Sequence, residues 1–495
     1  MSVSLRRLLP SASFIGCADV VAQDAVAHSA DCDNTTVFAA IPGTSHDGNA
    51  YVAEAVSLGA AAILTDRPLP GFGVPQCVVS DVRRAYAELC HALFAYPSWR
   101  LGLVGVTGTN GKTTTTWLTR ALLQHAGHPT GLLGTIEYSD SVERAPATLT
   151  TPDSRSLAAW LSATAARRAR FAAVELSSHA LEQRRCSGTL LDVGVVTNIT
   201  QDHFDYHGTF AAYLAAKSTI LDMLKRSGLA VLNADDPGAI SLADRVPKSA
   251  QLCTFGIDNT ADVTAASIRS SHDGSSFVLQ HGGTHADVHT PLIGRHNISN
   301  CLAAAAAGIH FGFSLDAIAA GLSTLEAVPG RLERIHCGQP FDVYVDYAHT
   351  ADALQRVIAA VRPTTTGRIY CVFGAGGDRD RTKRAPMGTA AAAADVLVVT
   401  SDNPRSESPQ AIIDEILCGV PGGPECHVEV QRDRAIIWAL DRAEPGDCVL
   451  IAGKGHERIQ IIGANTVPFD DRAVCRRHLS TQYKPAPLAG ALSAS

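Results

Sequence analysis

A run of strand-forming residues, Leu101-Gly102-Leu103-Val104-Gly105-Val106, leads directly into Thr107-Gly108-Thr109-Asn110-Gly111-Lys112-Thr113-Thr114, after which Leu118, Leu122 and Leu123 recur at helical spacing. This order constrains the fold more than any other feature. A buried strand, a glycine-bearing loop and a helix in immediate succession put the loop at a helix N-terminus, where N–H groups without intrahelical partners and the helix dipole favour an anion. The glycines let the backbone approach a polyphosphate, Lys112 can reach its terminal phosphates, and Thr113 can offer a hydroxyl to Mg²⁺. The stretch departs from the common Gly-x4-Gly-Lys pattern at Val106, where that pattern has glycine. A glycine-rich turn with a solvated lysine is the plainer alternative, but the strand-loop-helix context favours a nucleoside triphosphate site.

At 495 residues the chain exceeds what one hydrophobic core supports, and a scale of roughly 150 residues per domain points to about three domains. Its net charge of −7 comes from both signs interspersed along the chain, so nothing marks a nucleic-acid binder or a protein drawn to an anionic membrane. Anionic ligands must then be met by local sites. The 13 cysteines are scattered without a Cys-x-x-Cys pair, which favours reduced thiols over a disulfide framework or a zinc site. Arg6 and Arg7 precede a mildly apolar stretch that Pro10, Ser11 and Ser13 interrupt, so the N-terminus reads as mature sequence. No run approaches the roughly 18 apolar residues of a spanning helix. A cytoplasmic enzyme of small-molecule substrates is the expectation.

Along the chain, strand-like runs alternate with helical ones. Val37–Ile41 reads as a strand, followed by turn chemistry at Pro42-Gly43 and His46-Asp47-Gly48 and a helix over about 50–59; Tyr96-Pro97-Ser98 reads as a linker. Strands are expected at 171–174 and 193–196, and again at 343–345, 369–373, 396–399 and 449–451. Such alternation implies parallel sheets with ligand chemistry at the strands' carboxyl ends. The fold class is therefore α/β. A small N-terminal α/β domain precedes a central domain with a parallel sheet of phosphate-loop type and a C-terminal doubly wound, Rossmann-like domain.

Two further clusters carry chemistry. Glu175 ends an apolar run, where a phosphate-loop fold holds the carboxylate for its Mg²⁺; a surface acid capping the next helix is the alternative. In Thr197-Asn-Ile-Thr-Gln-Asp-His203-Phe-Asp-Tyr-His207, two histidines four apart could suggest zinc. No further cysteine or histidine lies at ligand spacing, however, and one imidazole on Mg²⁺ with the other on the surface is the milder reading.

Taken in order, Gly105–Thr114, Glu175-Leu-Ser-Ser-His-Ala-Leu181, Thr197–His203, Val328-Pro-Gly-Arg-Leu-Glu333, Asp346-Tyr-Ala-His-Thr350, Gly374-Ala-Gly-Gly-Asp-Arg-Asp380, Asp402-Asn-Pro-Arg405 and Gly453-Lys-Gly-His-Glu457 resemble the Mur ligases. Within that family the resemblance is to the members that add the third amino acid to UDP-N-acetylmuramoyl-dipeptide in peptidoglycan synthesis. It implies three domains, over 1–98 for the UDP-sugar, 99–330 for ATP and 331–495 for the amino acid. It also implies amide formation through an acyl phosphate, with ATP as co-substrate and Mg²⁺ as cofactor.

Residue by residue, the resemblance places ATP at Gly108, Thr109, Asn110, Gly111, Lys112, Thr113 and Thr114, with Asn297, Asn300 and Arg331 near adenine, ribose and phosphates and Asp346 and His349 lining the same cleft. It makes Thr113, Glu175 and His203 metal ligands, joined by Lys217 as a carbamate, although Lys217 on its own reads as a solvated helix lysine. Lys112, Lys217, His203 and Glu175 are the implied catalytic set. The nucleotide-sugar falls to Ser29, Thr44, Ser45, His46, Thr150, Thr151, Ser177, Gln183 and Arg185. Ser29 departs from the family's Asp-Ser-Arg, lying here in His28-Ser29-Ala30. Arg379, Asp402, Asn403, Pro404, Arg405, Gly453 and Glu457 match a pocket for meso-diaminopimelate, the alternative being a lysine-adding member or another Mur-type or folylpolyglutamate synthetase-like ligase. A kinase or ATPase would not need that pocket. A nucleotide-binding module without catalysis would not need Glu175, His203 and Lys217 together.

Overall fold

The computed structural model describes residues 2–43, 47–200 and 202–483, which form two compact units, 1–263 with 303–321 and 264–302 with 322–495. Thr44, Ser45, His46 and the C-terminal tail lie outside the described residues.

In the first unit, residues 1–98 carry a five-stranded sheet in the order Ser13–Ile15, Gln76–Val78, Ala62–Thr65, Thr36–Ala39, Asp24–Val26; only the first strand is antiparallel. The strand expected at Val37–Ile41 is thus Thr36–Ala39, and the expected helix begins as a 3₁₀ turn at Gly48–Tyr51 before Val52–Ser57. Helix Val82–Leu93 lays Val82, Ala85, Tyr86 and Leu89 on this sheet's core, the three-to-four-residue spacing of one helix face. Tyr96 has a left-handed backbone, and Pro97–Arg100 makes a 3₁₀ turn.

A second sheet of the same unit holds the phosphate-type loop. Its parallel strands run Thr130–Leu133, Phe171–Glu175, Gly102–Thr107, Leu191–Val196, Leu224–Asn233, Gln251–Gly256. Gly102–Thr107 lies between two parallel neighbours, and Leu103, Val104 and Val106 are fully buried, as a central parallel strand covered on both faces requires. The strands expected at 171–174 and 193–196 form with one or two added residues.

The second unit is built on a six-stranded sheet, Glu333–Arg334, Asp342–Asp346, Cys448–Ala452, Ile369–Phe373, Val396–Val399, Glu425–Val428, parallel except for its first strand. Alternate residues enter opposite cores. Cys371, Phe373, Leu397, Val399 and Leu450 pack on one face, and Tyr370, Val372, Val396, Val398, Val449 and Ile451 on the other. All four strands expected here are present. The antiparallel hairpin Gly274–His281 with Thr284–Thr290 was not read from the sequence, whose polar alternation there gives little apolar signal.

Candidate active site

The loop 108–111 owes its shape to two glycines. Gly108 has φ +149°, and a β-carbon there would lie 1.9 Å from the Thr197 hydroxyl; Gly111 has φ +86° at the N-cap of helix Lys112–His125. Two residues that follow the neighbouring strand Leu191–Val196 hold the loop from outside. Thr197 Oγ1 donates to Asn110 O at 2.6 Å, Asn198 Oδ1 accepts from Asn110 N at 2.9 Å, and Thr109 N donates to Asn198 O at 2.8 Å.

Two lysines converge on one carbonyl. Lys112 Nζ donates to Gly108 O at 2.8 Å and Thr109 O at 3.0 Å, and Lys217 Nζ donates to the same Gly108 O at 2.7 Å. Lys217, on helix Phe210–Ser218, is 1% exposed, which overturns its reading as a solvated helix lysine. Its ammonium also lies 4.6 Å from the Tyr213 ring centre. Burial, and then the charge of Lys112, pushes the Lys217 amine well below its usual range.

Glu175 is not a surface cap: it is fully buried at the end of Phe171–Glu175. Thr113 Oγ1 donates to Glu175 Oε2 at 3.0 Å, and Thr135 donates to both oxygens, N to Oε1 and Oγ1 to Oε2, each at 2.9 Å. A hydroxyl and a carboxylate at a helix start are hard oxygen donors that suit Mg²⁺ together with phosphate oxygens and water. Among the described residues no three of histidine, cysteine, aspartate and glutamate gather as a metal cluster. The two histidines that hinted at zinc both pack against His179, at 4.8 Å for His203 and 5.6 Å for His207 between ring centres. His207 Nε2 meets Ser178 Oγ at 3.0 Å, while the exposed His203 sets its ring edge-on to His179. Desolvation, helped by His179 and the two lysines and opposed by Asp202, lowers His203 to about 4, so its imidazole is neutral at physiological pH.

The residues matched to the nucleotide-sugar fall beside Glu175. Thr150 Oγ1 meets Thr135 Oγ1 at 3.1 Å; Thr151 Oγ1 donates to Glu175 O at 2.7 Å and accepts from Ser177 N at 3.0 Å; Arg185 donates to Thr151 O at 3.2 Å and to Gln183 Oε1 at 2.6 Å. Ser177 also caps helix Ser178–Glu182 with its hydroxyl. Ser29 sits apart, on the turn Ser29–Asp31, and donates to Glu54 Oε2 at 2.6 Å.

In the second unit, Asn297 Nδ2 donates to Ile293 O at 2.9 Å, and its Oδ1 accepts from Asn300 at 3.1 Å, both side chains being buried. The Arg331 guanidinium lies 4.5 Å from the Tyr347 ring centre, and Tyr347 packs edge-on to His349. Asp346 accepts from Leu332 N at 2.6 Å and Ala348 N at 2.7 Å, and burial still raises its carboxyl.

The loops after Val396–Val399 and Cys448–Ala452 form a third cluster. Asn403 Nδ2 and Lys454 Nζ both donate to Glu457 Oε2, at 2.9 and 2.8 Å, and Lys454 also reaches Asn403 Oδ1 at 3.0 Å. Gly453 has φ +113°, and a β-carbon there would stand 2.7 Å from the Asp402 carboxylate. Asp402, Asn403 and Pro404 are buried. Arg405, half-buried rather than buried, has the left-handed φ +52° and donates to Gly377 O at 2.6 Å; Arg379 is exposed. Sequence reading missed Thr135, Asn198, Tyr213 and Lys454. Asn198 and Lys454 stood inside quoted blocks, whereas Thr135 and Tyr213 carried no local signal.

A parallel strand opening through a glycine-bent, lysine-lined loop onto a helix, backed by a buried carboxylate, defines an α/β enzyme of the phosphate-loop type. The Mur ligase middle domain matches residues 106–308, and the Mur ligase, glutamate ligase domain matches residues 330–455. The chain is 45% identical to UDP-N-acetylmuramoyl-L-alanyl-D-glutamate--2,6-diaminopimelate ligase of Geobacillus kaustophilus, over 89% of this chain and 91% of that protein. It is 44% identical to the protein of the same name from Gloeobacter violaceus, over 90% and 91%. This chain belongs to the Mur ligase family. A solved structure of a ligase with that name superposes with TM-score 0.70 at 32% identity, covering 98% of this chain and all of the other. MurF ligase of Thermotoga maritima, solved with ADP, shares the fold at TM-score 0.61 and 19% identity, covering 93% and 96%. Among the described residues no helix is long and apolar enough to cross a membrane.

Proposed function

We propose that this protein joins meso-diaminopimelate to UDP-N-acetylmuramoyl-L-alanyl-D-glutamate, consuming ATP, as a step of peptidoglycan synthesis. The observation that carries this reading is identity of 41–45% to eight relatives with that activity in their names, over about nine-tenths of the chain. The charged loops 402–405 and 453–457 add chemical support, because an amino acid with a second carboxylate needs both cations and an anion around its far end.

In this reading the substrate's glutamate carboxylate attacks the terminal phosphoryl group of ATP, ADP leaves, and an acyl phosphate forms. The free amine of diaminopimelate then attacks the acyl carbon, loses its proton, and phosphate departs from the tetrahedral intermediate. Loop 108–111 and the N-terminus of helix Lys112–His125 bind the polyphosphate, and Lys112 turns from the loop carbonyls to the transferred group. Mg²⁺, when bound, would neutralise phosphate charge, held by Thr113, Glu175 and His203 with Lys217 as a carbamate. The depressed basicity of Lys217 supports that modification, since only an uncharged amine adds to CO₂. Thr150, Thr151, Ser177, Gln183 and Arg185 orient the nucleotide-sugar, together with Ser29 and the segment Thr44, Ser45 and His46. Asn297 and Arg331 serve ATP. Arg379 and Arg405 take the carboxylates of the amino acid, and Asp402, Asn403 and Glu457 its distal ammonium. The domains that divide this work are 1–98, 99–330 and 331–495.

Phosphate release with ATP and UDP-N-acetylmuramoyl-L-alanyl-D-glutamate, scanned over amino acids, tests the reading. Turnover with diaminopimelate alone is expected; equal turnover with lysine, or none with either, would overturn it.

A further inference from the structure

In the second unit a polar network joins the loop after Ile369–Phe373 to the loop after Val396–Val399. Gly377 N donates to Asn403 O at 2.9 Å, and Arg405 returns a bond to Gly377 O. Asp378 accepts from Ser406 twice, from N at 3.1 Å and Oγ at 2.6 Å, while Asp378 N donates to Glu407 Oε1 at 2.6 Å. Behind them Arg384, its side chain 1% exposed, grips Glu407 bidentately at 2.7 and 2.9 Å and reaches back to Gly376 O at 3.3 Å.

Two features show that these loops are pressed together. A β-carbon at Gly377 would lie 1.8 Å from Pro404 O. Asp378 and Arg405 both hold left-handed backbones, φ +50° and +52°, which non-glycine residues keep only when their surroundings impose them. The arrangement leaves the Arg405 and Arg379 guanidinia close enough to repel: burial, then Arg379, lowers the basicity of Arg405.

We propose that Arg384, Glu407, Asp378 and Ser406 form a clasp that fixes Arg405 relative to Arg379 and so sets which amino acid the enzyme accepts, selecting one with a second carboxylate. The inference rests on the proposed reading of the two arginines as carboxylate ligands. Glu407 and Arg384 are positioning residues, acting through Arg405. The Arg405 backbone is also held by the neighbouring strand, Arg405 N donating to Ile461 O at 3.1 Å and Gly463 N to Arg405 O at 2.7 Å, so what loss of the clasp releases is the loop of Arg379 and the spacing of two like charges. A planar carboxylate then meets a mobile guanidinium and loses bidentate geometry.

The test is Glu407→Gln in the full-length enzyme, with Ser406→Ala as a milder variant should the first fold poorly. Wild-type kcat/KM for diaminopimelate and lysine is measured first and by itself decides the substrate reading. The clasp is then judged on whichever amino acid the wild type prefers. Its KM should rise by roughly tenfold in Glu407→Gln, while KM for ATP and for the nucleotide-sugar stays within about twofold. Because the clasp acts through Arg405, Glu407→Gln combined with Arg405→Ala should cost no more than Arg405→Ala alone. A parallel rise in all three KM values, an unchanged amino-acid KM, or additive losses in the double variant would each overturn the clasp.

Discussion

The phosphate-type loop of the first unit and the charged loops of the second solve opposite problems. At the first, Lys112 and Lys217 rest on backbone carbonyls, and Glu175 is held by hydroxyls and an N–H. At the second, Arg384, Lys454 and Arg432 each grip a carboxylate, Arg432 and Asp471 being wholly buried together. Carbonyls that accept from lysines exchange readily for phosphate oxygens, and a cation can take the place of hydroxyl donors on a carboxylate, so the first region is shaped to be rearranged by its ligand. Ion pairs are self-sufficient, so the second is shaped to hold geometry before a ligand arrives. In the proposed reading, loading is the work of one region and discrimination that of the other.

The contrast breaks most visibly at discrimination. If the second region is a preset carboxylate reader, lysine should be used on the order of 10⁴-fold less efficiently than diaminopimelate, because it lacks the second carboxylate and leaves one arginine without its partner. Arg405→Ala should remove most of that ratio. Comparable kcat/KM for the two amino acids in the wild type would end the comparison.

Next in size is the loading region. Lys112→Ala should lower kcat by roughly 10³-fold, as loss of a preorganised charge on the transferred group does, with melting temperature almost unchanged. Lys217→Ala should lose turnover comparably. Only the second should regain activity with short carboxylic acids, which replace a carbamate and not an ammonium. Full activity of Lys217→Ala, or rescue of Lys112→Ala by the same acids, would remove the distinction between the two lysines.

A smaller effect is expected at Ser29, whose hydroxyl is tied to Glu54. Ser29→Ala should raise KM for the nucleotide-sugar by about tenfold, the scale of one hydrogen bond, and leave kcat nearly as it was. Glu54→Gln should follow it. An unmoved KM in both would place the serine outside the site.

The smallest signal is an acid one. Hydrogen bonding to Arg384 lowers Glu407 from about 4.5 to about 2 in the folded protein, so its pairing stabilises the fold fully above about pH 4.5 and is lost as pH falls towards 2. The melting-temperature gap between wild type and Glu407→Gln should therefore be flat above about pH 5 and close on acidification.

By itself the sequence determined the periodic parts. Three buried strands of the central sheet and four of the C-terminal one, the helix after the phosphate-type loop and the glycines that bend it were legible because apolar spacing and positive-φ demands are local, whereas Thr130–Leu133, Leu224–Asn233, Gln251–Gly256 and Glu425–Val428 were not read. The ordered blocks also led to the right family. What only the tertiary structure decided are pairings across long separations. Lys217 is buried because its helix brings it to Gly108, 109 residues earlier in the chain. Thr135 orients Glu175 from 40 residues away, and Glu54 takes the Ser29 hydroxyl from 25. Arg384 becomes fully buried through Glu407 and Glu415, though a lone arginine reads as a surface residue. Burial of a charge depends on which distant group arrives to neutralise or desolvate it, and no local pattern encodes that arrival.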